Sequence, residues 1–173
     1  MKVFSYLLAM TVTLIATQAN ADVNDTSSER RLSIPSGAQG LVMPLSDWAL
    51  NKEQRRPDGK VAYYMLYSEK AHAVFSVYID KNGSCRSADD CLKAALKNPM
   101  YQQAQETKFL EDRQFKVAHF YLDKPQGLAV NQAHVLASAY IDGLWFDIHL
   151  SQTGQERPDI GTLLDLLKSM QLK

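Results

Sequence analysis

The chain has 173 residues, with 19 Lys plus Arg against 19 Asp plus Glu, 46% hydrophobic residues, 8 Gly, 6 Pro and 2 Cys. These proportions are those of a globular protein and exclude a disordered, collagen-like or many-disulfide scaffold. Balanced charge also removes the basic footprint with which proteins neutralise phosphates, so nucleic acid is not an expected partner.

One basic residue, Lys2, precedes an apolar run from Val3 to Ala16, and Ala19-Asn20-Ala21 then supplies the small-x-small pattern that a signal peptidase accepts. Residues 1–21 are therefore expected to be a signal peptide cut before Asp22. As a helix the apolar run would reach only ~21 Å, short of a ~30 Å hydrocarbon core. No cysteine lies near the cut to carry a lipid. Without Lys2 the formal charge is −1, so no polybasic attachment to a membrane is available. The expectation is an exported protein, periplasmic or secreted, with a flexible leader at 22–30 and a single domain at 31–173.

From Arg31 the apolar pattern has mostly a period of two. Leu32 and Ile34 alternate before Pro35; Trp48 and Leu50 lead into a polar strand; and Pro57-Asp58-Gly59 turns the chain into a strand over Val61 to Tyr67. The polar first member suits a sheet edge. His72 to Asp80 predicts a strand with Ala73, Phe75, Val77 and Ile79 on one side, ended at Asn82-Gly83.

Cys85 and Cys91 follow in the exported part, where thiols are oxidised, and an even count favours a structural disulfide. A redox or metal pair is the alternative, although redox pairs are usually spaced by two residues and two Cys make half a zinc site. Ser87-Ala88-Asp89-Asp90 has the form of a helix start, predicting a helix from about Ala88 to Lys97 that buries Cys91, Leu92, Ala95 and Leu96 and stops at Asn98-Pro99.

Four more strands are expected at Thr107 to Leu110, Gln114 to Leu122, Gln132 to Ile141 and Leu144 to Leu150. Between the last two, Asp142-Gly143 predicts a two-residue reversal with positive φ at both positions. It pairs Ile141 with Leu144, Ala139 with Phe146, Ala137 with Ile148 and Val135 with Leu150 on one face. The other face pairs Tyr140 with Trp145, Ser138 with Asp147 and Leu136 with His149. The long loops Asp123 to Asn131 and Ser151 to Pro158 flank that second face. A final helix over Asp159 to Met170 aligns Ile160, Leu163, Leu164, Leu167 and Met170. The fold expected is α+β: a mostly antiparallel sheet of five to seven strands packed with two main helices, like an α/β/α sandwich.

This order of elements, with a Leu-x-Ile-Pro strand, a Trp-containing strand, a hairpin, a helix opened by Ser-Ala-Asp-Asp, a meander with a Gly turn and a last helix ending Leu-Leu-Lys-Ser-Met, resembles the PsbP-like superfamily over most of Arg31 to Lys173. That superfamily includes an extrinsic subunit of photosystem II, eukaryotic Ran-binding proteins and exported bacterial proteins. The resemblance implies a non-enzymatic binding or assembly module and carries over no functional residue. The Cys85/Cys91 pair and the lack of a lipidated Cys depart from it.

No HExxH, GxSxG, Walker-type, GxGxxG or EF-hand pattern is present, and no cofactor is expected. His134, Asp147 and His149, with Ser138, share the second face and form a possible metal or polar site. His134 lies opposite residue 151, about 7 Å along the strand from His149, which separates the two rings unless the strand bends. A hydrolase built on Ser138, His149 and Asp147 lacks an oxyanion hole. His119 has no fixed facing, and His72 is expected at an exposed strand start. Tyr140 and Trp145, with Tyr63, Tyr67, Tyr78 and Tyr121, form an aromatic set that is either a protein-contact stripe or core beneath a helix. The leading expectation is a non-catalytic module binding an envelope protein, with contacts at Tyr140, Trp145, Tyr78 and Tyr63. A His/Asp enzyme and a toxin-neutralising protein are the alternatives.

Overall fold

The computed structural model describes residues 29–173 other than 36, 45, 46, 82 and 84. The expected signal peptide 1–21, its cleavage site and the leader as far as residue 28 lie outside the described residues, as does Asn82 of the expected turn. Glu29 and Arg30, placed in the leader by the sequence, already belong to the first strand.

The strands are β1 (Glu29–Ser33), β2 (Gly40–Pro44), β3 (Ala49–Arg55), β4 (Val61–Ser68), β5 (Ala73–Asp80), β6 (Gln105–Asp112), β7 (Phe115–Asp123), β8 (Asn131–Ile141), β9 (Leu144–Gly154) and β10 (Gln171–Leu172); the helices are α1 (Ala88–Leu96) and α2 (Ile160–Ser169). Seven strands form one antiparallel sheet in the order β3-β4-β5-β9-β8-β7-β6, and β1, β2 and β10 form a second sheet. The fold is α+β. β3 is an edge strand whose seven residues are all exposed, in keeping with its polar sequence.

The central hairpin has the register that the Asp142-Gly143 pair requires: Ile141 opposes Leu144, Tyr140 opposes Trp145 and Ser138 opposes Asp147. Asp142 and Gly143 both have positive φ, 50° and 79°, the backbone that follows the natural twist of two strands. Strand β9 runs on to Gly154, so Ser151 to Gly154 is strand and not the loop expected from its polar sequence; β8 supplies partners as far as Asn131.

One face of the main sheet carries Phe75, Val77, Ile79, Phe146, Ile148, Leu150, Val135 and Val117, sealed by Leu163 and Leu167 of α2 and by Leu32, Leu41, Met43 and Leu172 of the small sheet. On the other face a smaller cluster joins Leu92 of α1 to Ala118, Phe120, Leu122 and Leu136. Helix α1 packs over β7, β8 and β9. It therefore roofs only part of its face. Each buried aliphatic or aromatic side chain contributes roughly 1.5–3 kcal/mol, so the fully sealed face dominates stability.

Ser87 caps α1 by accepting from the Asp90 amide at 3.1 Å. Cys85 and Cys91 are joined in a disulfide with a Cα–Cα distance of 5.3 Å, tying the first turn of α1, through its buried Cys91, to the loop before it. The helix ends at Leu96, and Asn98-Pro99 opens a short 3-10 turn over Pro99–Tyr101, capped by Asn98 Oδ1 on the Met100 amide. Replacing Cys85 and Cys91 together by alanine is expected to lower the unfolding free energy by about 2 kcal/mol, the loop-closure entropy of so short a ring. Urea denaturation would show this as an earlier midpoint at unchanged slope; an unmoved midpoint would mean that packing alone holds the loop.

Candidate functional site

The pairings of the main sheet place Tyr63, Tyr78, Asp147, Ser138, Lys116 and Glu111 in one row across the second face. The next row along the strands holds Met65, Ser76, His149, Leu136, Ala118 and Phe109. Period-two alternation and a fixed register thus gather one side chain from each of the strands β4 to β9. The middle of both rows lies under α1 and the Pro99–Tyr101 turn; the β4–β5 end does not.

Under that roof, His134 Nδ1 and His149 Nε2 are 2.9 Å apart, and the imidazoles stack at 5.2 Å between centroids and 13° between planes. This corrects the expected separation. Diagonal neighbours on a sheet stand ~7–8 Å apart at the backbone, but two ring side chains leaning toward each other close that gap. His134 Nε2 is 3.0 Å from Gln132 Oε1. An amide oxygen only accepts, so His134 donates from Nε2, and its Nδ1 accepts the Nε2–H of His149. Phe120 stacks on His134 at 5.2 Å, and Tyr101 stands against both imidazoles at 5.8 and 6.1 Å.

Burial in this apolar box holds both histidines neutral. His134 is lowered to about 3 by burial and then by the neighbouring His149, and His149 to about 4 by burial. Burial also raises the carboxyl of Asp147, offset by the hydroxyl of Ser138, which donates to its Oδ1 at 2.9 Å, and reinforced by the charge of Asp80. In a hydrolytic relay a histidine stands between serine and carboxylate; here Ser138 donates directly to Asp147. Among the described residues, no group of three or more His, Cys, Asp or Glu is placed to hold a metal ion. The structure brings His134 to His149 and Ser138 to Asp147, as two polar pairs.

The aromatic set divides. Tyr140, Tyr78 and Tyr67 are exposed, at 52%, 39% and 38%, and Tyr63 is half-buried beside them. Trp145 is 5% exposed, correcting its expected place on a contact surface. Its ring lies 4.2 Å from that of Tyr140, and the backbone at Gly83 is pressed onto the indole so closely that a Cβ there would lie 2.2 Å from Trp145 Cδ1. Covering so large an apolar ring stabilises the fold. Tyr121 turns to the opposite face, packs beside the main core and meets the Arg157 guanidinium at 4.9 Å. His119 is also buried, opposite Val135, and burial lowers it; His72 is exposed just before β5.

Tyr101, Gln132 and Phe120 complete the histidine site and were not singled out in the sequence. Gln132 was legible, two residues before His134 and so on the same face. Tyr101 was not, because its place depends on how the turn after α1 folds back.

No family model and no curated protein matches the sequence. Among solved structures, the fold is similar to the solution structure of cyanobacterial PsbP (CyanoP) from Synechocystis sp. PCC 6803, with a TM-score of 0.52, 11% identity, and 90% of this chain and 99% of that chain covered. The fold is PsbP-like. It also resembles a crystal structure from Bacteroides thetaiotaomicron, with a TM-score of 0.50, 13% identity and 85% of this chain covered; the match takes in 49% of that longer chain. The PsbP-like likeness expected from the order of elements is thus found at the level of the fold.

Two predictions follow from this geometry. Gly83→Ala is expected to displace the loop or the indole, and in a Trp48→Phe background the emission of Trp145 would move to longer wavelength; unchanged emission would contradict the close approach. The second concerns acid. Below pH ~6.5 the unfolded histidines bind protons that the folded pair refuses until about pH 4 and 3, so stability falls as pH drops through that window. Asp147, whose folded form holds its proton more tightly, works in the opposite sense over the carboxylate range. His134→Gln removes one titrating group and should flatten the pH dependence of the denaturation midpoint between pH 6.5 and 4; an unaltered slope would show that other groups dominate.

Proposed function

We propose that this protein is an exported, non-catalytic accessory module that holds another protein of the cell envelope on the uncovered half of its main sheet. The observation that carries the reading is the partial roof. Helix α1 shields part of β7 to β9, while Tyr67 and Tyr78, and Tyr140 at the turn end of β8, remain exposed on the same face. Beside them an open groove of about 610 Å³ runs between Gln54, Arg55, Arg56, Val61, Tyr63 and Tyr78.

Tyrosine and arginine dominate the energetic centres of protein contacts, because each joins a large rigid contact area to a polar end. The groove suits a partner loop that offers an apolar side chain to the tyrosine rings and a carboxylate to Arg56. Trp145 contributes from below, as the floor that fixes Tyr140. The PsbP-like fold supports an accessory role, and the disulfide, together with the absence among the described residues of a helix able to cross a membrane, is compatible with export.

The test is site-specific crosslinking in cells that make the protein. A photoreactive residue at position 78 or 140 should capture one discrete partner, and the same residue at position 108, on the opposite edge strand, should not. Tyr78→Ala combined with Tyr140→Ala should weaken binding to that partner by about tenfold or more. Capture at position 108 alone would place the contact elsewhere and defeat the proposal.

A further inference from the structure

Where α1 and the Pro99–Tyr101 turn meet β8 and β9 there is a second, smaller recess of about 170 Å³, lined by Ala95, Tyr101, Leu136, Ser138, Asp147 and His149 among others. At ~30 Å³ per water it has room for about six waters, or for one compact organic molecule smaller than a drug-sized ligand. Its polar lining is the carboxylate of Asp147, the hydroxyl of Ser138 and the imidazole of His149, with the side-chain amide of Asn98 and the phenol of Tyr101. Ser138 directs its only proton to Asp147 Oδ1, which leaves Asp147 Oδ2 without a hydrogen-bond partner among the described residues. With His149 donating through Nε2 to His134, its Nδ1 is an acceptor. The oxygen of Ser138 still has lone pairs to offer.

Hydrogen-bond acceptors thus gather round one carboxylate, with the ring of Tyr101 and the methyls of Leu136 and Ala95 as apolar walls. A carboxylate drawn in from water is costly unless a charged donor meets it, and an aromatic ring face also attracts a cation. We propose that this recess binds a small aliphatic ammonium compound, its –NH₃⁺ donating to Asp147 and Ser138 and its alkyl part lying against Tyr101 and Leu136. The recess lies beneath α1, with Asp147 directly cross-strand from the uncovered Tyr78; its occupant is a small cation, whereas the uncovered tyrosines take a protein.

The probe is n-butylammonium, titrated into the purified protein and followed by backbone amide chemical shifts and by calorimetry, with n-butanol as the uncharged control and zinc chloride as the metal control. Saturable binding in the millimolar range is expected for so small a ligand, with shifts concentrated at Tyr101 and residues 136–138 and 147–149, and no saturable response to n-butanol. Asp147→Asn keeps an acceptor for Ser138 while removing the charge, and should weaken the amine by at least about tenfold. Ala95→Leu narrows the recess from the helix side, leaves the polar row untouched and should also abolish binding; it decides the matter if Asp147→Asn does not fold. Equal affinity in wild type and in either folded variant overturns the proposal. Binding of n-butanol as tight as that of the amine, a response to zinc without one to the amine, or no response at all overturns it too.

Discussion

The structure depends on the reversal at Asp142-Gly143. Strands β8 and β9 are each eleven residues long, and β9 pairs on its other side with β5 while β8 pairs with β7. Every lateral pairing in the seven-stranded sheet therefore refers back to this one hairpin. A slip of one residue would move Phe146, Ile148 and Leu150 to the half-roofed face and carry Asp147 and His149 into the sealed core, where an unpaired carboxylate is costly. The two positive φ angles exclude that slip by permitting only the turn whose twist the strands can follow.

From this register follow two faces with different duties. One is closed by α2 and the small sheet and is almost wholly apolar. The other is closed over part of its width, and its polar residues pair with each other: Ser138 with Asp147, His134 with His149 and Gln132. Such pairing lowers the cost of holding these groups under α1. The stacked rings of Phe120, His134 and His149, with Tyr101 against them, fill the site, and the neutral state of both imidazoles follows from their burial.

Much of this was legible in the residues themselves. Alternation over 73–80, the cap at Ser87, the helical spacing from Ile160 to Met170 and the Asp-Gly turn each reflect a local rule with one answer. The strands β2 and β10 were not legible: Leu41, Val42 and Met43 form a continuous apolar run with no period, and Gln171–Leu172 becomes a strand only because Val42 and Leu41 await it. The polar end of β9 was missed for the same reason, since a strand persists wherever a neighbour offers hydrogen bonds. In the site, the sequence placed the four polar residues on one face but separated the imidazoles, because strand spacing ignores how far ring side chains lean. Trp145 failed as a surface residue because nothing in the order of residues says that Gly83 folds back over it.

The exposed border strand β3 has a further consequence. An open strand offers free backbone groups to any other extended chain, including a second copy of the same molecule. Lys52, Glu53 and Arg55 stand along this rim, with Glu53 and Arg55 paired at 2.6 Å, and its ladder with β4 is interrupted between Leu50 and Lys52. A neighbouring strand would have to follow that irregularity and strip water from the charges before zipping on, so the rim works against fibrous self-association.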